Sequence, residues 1–205
     1  MKKKLSFFFA VLALLLTGQT AVAQTFTVGD LSFTVTDAGA KTVSVSKTDG
    51  ISGNVVIPSS VTYEGDPYSV TAIPNDAFYN CSAITGITIP ASVESVGAWA
   101  FGGTALTSIT IEDSETNLWW NGQGSHPLIG MYENYTLYLG RNLQTESDEK
   151  YFENATSVTI GDKVTTINNK LFEGASKLAS VTMGSGVTSI GEKAFYYSGR
   201  DESVA

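Results

Sequence analysis

The chain has 205 residues, of which 42% are hydrophobic, and this is enough for one domain with a sizeable core. It carries 12 Lys and Arg residues against 20 Asp and Glu residues, so its formal net charge is −8 at pH 7. An acidic surface repels phosphate backbones, which argues against a nucleic-acid partner. The single cysteine, Cys81, excludes an intrachain disulfide.

Residues 1–23 have the pattern of a secretory signal peptide. Three lysines, Lys2 to Lys4, precede an apolar run from Leu5 to Leu16, and small residues follow at Ala21 and Ala23. The apolar run is shorter than the ~20 residues that a membrane-spanning helix needs. We therefore expect cleavage after Ala23 and a periplasmic, cell-surface or extracellular location.

Residues 24–50 predict a β-hairpin cap. Apolar and polar residues alternate over residues 26–36 and 42–46, which is typical of half-buried strands. The turn is expected at Asp37 to Ala40, where Asp and Gly favour a chain reversal. This segment lacks the pattern that fills the rest of the chain.

From residue 51 onward the chain repeats itself. Residues 85–106 read TGITIPASVESVGAWAFGGTAL, and the pattern returns as TSVTIGDKVTTINNKLFEGASKL at 156–178 and ASVTMGSGVTSIGEKAFYYSGR at 179–200. Each copy has an alternating β-branched triplet, a Gly or Pro, a second apolar pair, and a closing Phe about 23 residues after the previous one. This short period predicts a β-rich solenoid whose coils each hold two short strands and a short helical or 3-10 turn.

The repeat register predicts which side chains fill the core. Gly97, Asn168 and Gly191 follow the second apolar pair and are expected at corners with positive φ. The predicted core residues are Phe78, Phe101, Phe172, Phe195, Ile87, Ile89, Val93, Val96, Val164, Ile167, Val187 and Ile190.

The solenoid is expected to span residues 51–198 in about six coils. Residues 62–69 interrupt the first coil with turn formers and predict a small hairpin. Residues 112–153 are two degenerate coils, because the triplet at Leu137 keeps the register of the strands that begin at 55, 87, 109, 158 and 181. Residues 199–205 are expected to be a disordered tail.

Two features are candidates for ligand binding. The middle residue of each triplet should point outward from the strand ladder, and this row includes one aromatic residue, Tyr138. A dense group of aromatic residues also lies between Trp119 and Tyr138 and could stack on sugars. The candidate contacts are Thr88, Thr110, Tyr138, Thr159, Thr182 and Trp119.

We find no catalytic or metal-binding pattern, and we expect neither an enzyme nor a cofactor. His126 lies in a Gly, Ser and Pro-rich segment and is interpreted as an exposed loop residue. Cys81 replaces the small residues of other copies and is interpreted as structural, while Glu112, Asp113 and Glu115 lack the spacing of a calcium site.

The units ITIPASVESVGAWAF and VTMGSGVTSIGEKAF, together with DAFYNCSAITGITIP, resemble the BspA-like leucine-rich repeat of bacterial secreted and surface proteins. The likeness covers about residues 50–197. It implies a right-handed repeat solenoid outside the cell that binds proteins, sometimes in adhesion, and has no enzymatic activity.

Two binding functions remain open from the sequence. The first is a protein-binding or adhesion module for a host or matrix protein, and the alternative is a carbohydrate-binding surface protein that uses the aromatic group from Trp119 to Tyr138. The last coil also ends on apolar residues, so end-to-end association through the C-terminal edge is a further expectation.

Overall fold

The structure is a computed structural model that describes residues 24–46, 50–120, 125–145 and 149–200. The predicted signal peptide, residues 1–23, and residues 201–205 of the predicted tail lie outside the described residues. The described residues form strands and turns, without an α-helix. In chain order the strands are β1 Thr25–Val28, β2 Leu31–Asp37, β3 Thr42–Ser46, β4 Gly53–Val56, β5 Ser60–Tyr63, β6 Asp66–Ile73, β7 Ile84–Ile89, β8 Ser95–Val96, β9 Ser108–Ile111, β10 Leu118–Trp120, β11 Tyr135–Leu139, β12 Leu143–Gln144, β13 Ala155–Ile160, β14 Thr166–Ile167, β15 Ser180–Thr182 and β16 Ser189–Ile190.

One parallel sheet, the ladder sheet, takes a strand from each of the six coils. Its order is β4, β7, β9, β11, β13 and β15, so neighbouring coils are neighbours in the sheet. The middle of each strand is in the register that the repeat alignment predicted, and the degenerate coil at Leu137 keeps that register. The aligned inward residues are Val55, Ile87, Ile109, Leu137, Val158 and Val181. The predicted solenoid is therefore confirmed.

The second sheet joins the cap to the coils. Strands β1, β2 and β3 form an antiparallel meander, so the cap has three strands rather than the two of a hairpin. Strand β3 then pairs in parallel with β6, and β8, β10 and β12 follow in order. The insertion at residues 62–69 forms the turn and adjoining strand ends of the β5–β6 hairpin. A separate pair, β14 and β16, occupies the same place in the last two coils.

The third side of each coil consists of hydrogen-bonded turns, where a short helical or 3-10 turn had been expected. The left-handed residues are not the predicted corner residues Gly97, Asn168 and Gly191. On this side of the coil, the residues with positive φ instead lie two residues before and two residues after Phe78, Phe101, Phe172 and Phe195, and their φ angles are between 54° and 77°. These residues are Asp76, Asn80, Trp99, Gly103, Lys170, Gly174, Lys193 and Tyr197.

The corner glycines serve a different purpose, which is close approach between coils. A Cβ atom on Gly97 would lie 2.4 Å from the backbone nitrogen of Asn75 in the preceding coil. A Cβ atom on Gly191 would lie 2.4 Å from the backbone nitrogen of Asn169. The two asparagine side chains accept hydrogen bonds from the next coil, at Ala98 N (2.9 Å) and Glu192 N (2.7 Å). Glycine is therefore required at these two positions because a side chain would collide with the preceding coil, and not because the backbone has a positive φ.

Stacked aromatic rings run through the core below the turns. Phe78 and Phe101 stack with ring centroids 5.8 Å apart, and Phe172 stacks on Phe195 at 5.1 Å. Phe152, which the repeat alignment did not include, joins the second stack at 5.6 Å from Phe172. Leu128 interrupts the column because it stands where the next coil would have its Phe. The backbone shows this equivalence, since Phe78 N donates to the carbonyl of the residue before Phe101, and Phe101 N donates in the same way to Pro127 O, just before Leu128.

Most predicted core residues are buried, but the last coil departs from the expectation. Ile190 is 54% exposed, which makes its assignment to the core wrong, and Val187 and Phe195 are only partly buried. The physical reason is that no described coil packs against their outer side. Gly199, expected to begin a disordered tail, donates a hydrogen bond to Ala175 O at 2.9 Å.

Arg141 is a charged side chain inside the core. It is 0% exposed, and its guanidinium donates to the carbonyl oxygens of Pro90 (2.9 Å) and Ala91 (3.0 Å). Burial lowers the Arg141 pKa, and the charge of Glu112 acts in the opposite direction. The side chain thereby ties the degenerate coil to a regular coil two strands away in the ladder sheet.

His126 is partly buried, which corrects its interpretation as an exposed loop residue. Its Nδ1 atom accepts a hydrogen bond from Leu128 N (3.2 Å), and its ring meets Tyr151 edge-on with centroids 5.6 Å apart. Burial lowers the His126 pKa to about 4, so the ring is neutral at pH 7.

We expect the Phe101→Ala variant to lose about 3–5 kcal/mol in free energy of unfolding, because it leaves a cavity in a stacked core. Phe195→Ala is the matched control, and we expect a smaller loss because that ring is only partly buried on the last coil. Urea denaturation followed by circular dichroism measures both. Equal losses in the two variants would contradict this account of the core.

We expect His126 to make the fold sensitive to acid. The folded-state pKa lies below the ordinary value of 6.5, so the unfolded chain takes up the proton first as the pH falls. The stabilisation, about 3 kcal/mol, is complete above pH 6.5 and is lost as the pH falls to about 4. His126→Asn keeps an acceptor for Leu128 N but does not titrate, so its stability should fall less steeply over this range. Parallel curves for the two proteins in urea titrations would refute this prediction.

Candidate functional site

The outer face of the ladder sheet carries two parallel rows of side chains. Because side chains alternate along a strand, residues two apart share this face. The first row, here called the outer row, contains Val56, Thr88, Thr110, Tyr138, Thr159 and Thr182. The second row contains Asn54, Gly86, Ser108, Thr136, Ser157 and Ser180. Neither row contains a charged residue, and most of the side chains in the two rows carry a hydroxyl group.

The structure brings the predicted threonines and Tyr138 together in one row. Thr159 and Thr182 are exposed, whereas Thr88, Thr110 and Tyr138 are half-buried. The second row was not predicted, although the same alternation places it two residues earlier in each strand. Val56, which was not among the predicted contacts, also belongs to the outer row and is 59% exposed.

Tyr138 is held in place by an acid from the neighbouring coil. Its hydroxyl donates to the two carboxylate oxygens of Asp113, with oxygen–oxygen distances of 2.9 Å and 3.0 Å. Desolvation raises the Tyr138 pKa first, and the hydrogen bond and charge of Asp113 raise it further. The ring is therefore oriented before any ligand binds, which lowers the entropy lost on binding.

A glycine makes room for this contact. A Cβ atom on Gly161 would lie 2.6 Å from the Asp113 carboxylate and 2.9 Å from the Tyr138 hydroxyl. The small residue that ends strand β13 therefore has a second use besides ending the strand. Most copies have Gly or Pro at this place, although Glu112 follows β9, and the packing of the coils gives the reason at Gly161.

Acidic residues border the outer row where the strands end. Glu112 and Asp113 follow β9, and Asp162 follows β13. The Asp162 carboxylate accepts hydrogen bonds from Ser185 N (2.7 Å) and Ser185 Oγ (2.9 Å), and these lower its pKa. One cation, Lys163, pairs with Glu115 across the coils. This acidic rim adjoins Tyr138.

The aromatic group between Trp119 and Tyr138 does not form one surface, so the predicted patch is wrong. Trp120 and Tyr135 are buried in the core, at 0% and 2% exposure. Trp119 lies half-buried in β10 of the second sheet, beside Ser95 and Gly97, whereas Tyr138 belongs to the ladder sheet. Alternation along β10 sends the two adjacent tryptophans to opposite sides of their sheet.

The described residues offer no arrangement typical of catalysis at this face. In them, no group of three or more His, Cys, Asp or Glu residues is placed to hold a metal ion. Cys81 packs partly buried against the core. None of the described residues forms a helix that could span a lipid bilayer. What the face can do is contact a ligand through hydroxyl groups and one oriented aromatic ring.

Two solved bacterial structures resemble the chain over most of its length. A leucine-rich cell surface protein from Faecalibacterium prausnitzii is 25% identical, with a TM-score of 0.51, over 87% of this chain and 47% of that protein. A leucine-rich repeat protein from Bacteroides capillosus is also 25% identical, with a TM-score of 0.48, over 78% of this chain and 97% of that protein. The chain therefore spans about half the length of the first of these proteins.

The sequence comparisons agree with the strand ladder. None of the curated proteins matches the chain significantly. The family model of the BspA type leucine rich repeat region matches residues 54–119 and 145–204 in six copies, which is more than half of the chain. These residues contain four of the six ladder strands, all but the first residue of β4, and both stacks of phenylalanines. The chain belongs to the BspA type leucine-rich repeat family.

Proposed function

We propose that this protein is a non-enzymatic module, exported to the cell surface or beyond, that binds another protein through the outer row. The observation that carries the proposal is the oriented Tyr138 ring, which stands among hydroxyl side chains on an uncharged strand face. Repeat solenoids bind their ligands through such extended surfaces. Tyrosine is also enriched among the residues that dominate interface energies.

The charge pattern indicates what kind of partner fits. The acidic rim of Glu112, Asp113 and Asp162 adjoins Tyr138, and the chain as a whole has a formal net charge of −8. A partner surface with exposed lysines or arginines would be attracted to this rim. We therefore propose an extracellular protein, from a host or its matrix, that presents a basic edge.

The export of the protein is part of this proposal. The basic, apolar and small-residue pattern of residues 1–23 supports a signal peptide. The Faecalibacterium relative is described as a cell surface protein, which supports the same location.

The test is a binding screen of the exported protein on arrays of basic extracellular proteins, followed by measurement of Kd. For a protein that binds, we expect Tyr138→Ala to weaken binding by tenfold or more, because it removes the large side chain at the centre of the row. Asp113→Asn should weaken binding less, since it loosens the ring but leaves it present. Binding should also fall as salt concentration rises.

The control is Tyr132→Ala, a tyrosine that is 89% exposed and lies outside the ladder sheet. It should leave the Kd for the protein partner unchanged. If Tyr138→Ala binds the partner as tightly as the original protein, the outer row is not the binding surface.

A further inference from the structure

A pocket opens beside the turns where the column of phenylalanines is interrupted. Leu128 takes the place of a Phe there, as the backbone hydrogen bond from Phe101 N to Pro127 O shows. The pocket has a volume of about 260 Å³ and is lined by residues 126, 128–132, 135, 151, 153 and 154. All of these residues except Asn154 lie in the degenerate coils, where the sequence departs from the repeat. No outer-row residue lines the pocket, although strand β11 carries both Tyr135, which lines it, and Tyr138, which does not.

Polar groups are concentrated in this small space. His126, Tyr135, Tyr151, Glu153 and Asn154 all line the pocket. Asn154 is fixed by a hydrogen bond from its Nδ2 atom to Met131 O (3.1 Å), so the lining is ordered on that side. Burial, and after it the charge of Glu153, raises the Tyr135 pKa, which means that the carboxylate lies near this tyrosine.

The charges in the pocket exclude one class of ligand. His126 is neutral at pH 7, because burial lowers its pKa to about 4. Glu153 is then the only lining residue with a full charge, and it repels phosphate, sulfate and carboxylate groups. Since Leu128 N donates to His126 Nδ1, the proton of the neutral ring is on Nε2, which acts as a donor.

An exposed aromatic ring lies at the mouth of the pocket. Tyr132 lines the pocket and is 89% exposed, the largest exposure among the large hydrophobic residues of the described chain. It belongs to no strand. Nothing in the fold therefore requires a large aromatic side chain at this position, whereas a ligand that stacks on its face would use one.

We propose that this pocket binds a neutral pyranose, the terminal sugar of a glycan. The Tyr132 ring would cover the apolar face of the sugar, Glu153 would accept hydrogen bonds from its hydroxyl groups, and His126 and Asn154 would complete the polar contacts. A pyranose combines an apolar face with hydroxyl groups that both donate and accept. The pocket offers the matching groups, which are the exposed ring of Tyr132, the acceptor Glu153 and the donor His126.

A cationic ligand fits the pocket less well. An aromatic cage for an ammonium group presents several ring faces to the ligand. Here Tyr135 and Tyr151 are buried, with exposures of 2% and 1%, and only Tyr132 presents a free face. An ammonium ligand would also leave the His126 donor without an acceptor.

The experiment is ligand-observed NMR on the full-length exported protein with small probes. The sugar probes are the methyl pyranosides of glucose, galactose and mannose, together with N-acetylglucosamine. Tetramethylammonium and inorganic phosphate are the charged probes. We expect saturation transfer to at least one sugar and to neither charged probe, with Kd values obtained by titration.

Two variants locate the site. Tyr132→Ala should raise the Kd for that sugar at least tenfold without changing the melting temperature, because the ring is exposed, and Glu153→Gln should also raise the Kd. Tyr138→Ala is the matched control and should leave sugar binding unchanged. It weakens only the protein binding proposed above, so the two proposals can fail separately.

Three results would overturn the sugar site. One is the absence of saturation transfer to all four sugars at millimolar concentration. Another is a Kd for the bound sugar that Tyr132→Ala does not alter. The third is binding of tetramethylammonium or phosphate that depends on Tyr132, which would assign the pocket to a charged ligand.

Discussion

The structure depends on the register between successive coils. Backbone hydrogen bonds in the ladder sheet align Val55, Ile87 and Ile109 and their successors, and this alignment stacks the inward side chains in columns. A single coil of about 23 residues cannot bury its own apolar side chains, so each coil is stable only against its neighbours. The same register places the outward side chains in rows. The core and the outer row therefore result from one constraint.

Departures from the repeat supply the features that distinguish this solenoid from a uniform one. Tyr138 replaces a threonine, and Asp113 in the neighbouring coil holds its hydroxyl. Leu128 replaces a phenylalanine, and a pocket appears beside it. Arg141 enters the core of the same region and holds the carbonyl groups of Pro90 and Ala91, so the irregular coils remain attached to the regular ones.

The last coil shows how far burial depends on neighbours. Ile190 has the same place in its coil as the buried Ile167, with which it pairs, yet it is 54% exposed. The local sequence of the two coils is similar, so the difference arises only from packing. A residue pattern can therefore identify an apolar position, but whether that position is covered depends on what lies beyond it.

The sequence by itself determined the coil length, the ladder register and five of the six residues of the outer row, because a 23-residue repeat with alternating apolar residues permits one in-register stack. It also determined most of the core, including Phe101 and Val164. Only the tertiary structure decided that Trp119 and Tyr138 lie on different sheets, that His126 is partly buried, and that Gly97 is required by the backbone of Asn75. Each of these depends on contacts between residues of different coils or on the path of an irregular segment, and a local pattern does not encode such contacts.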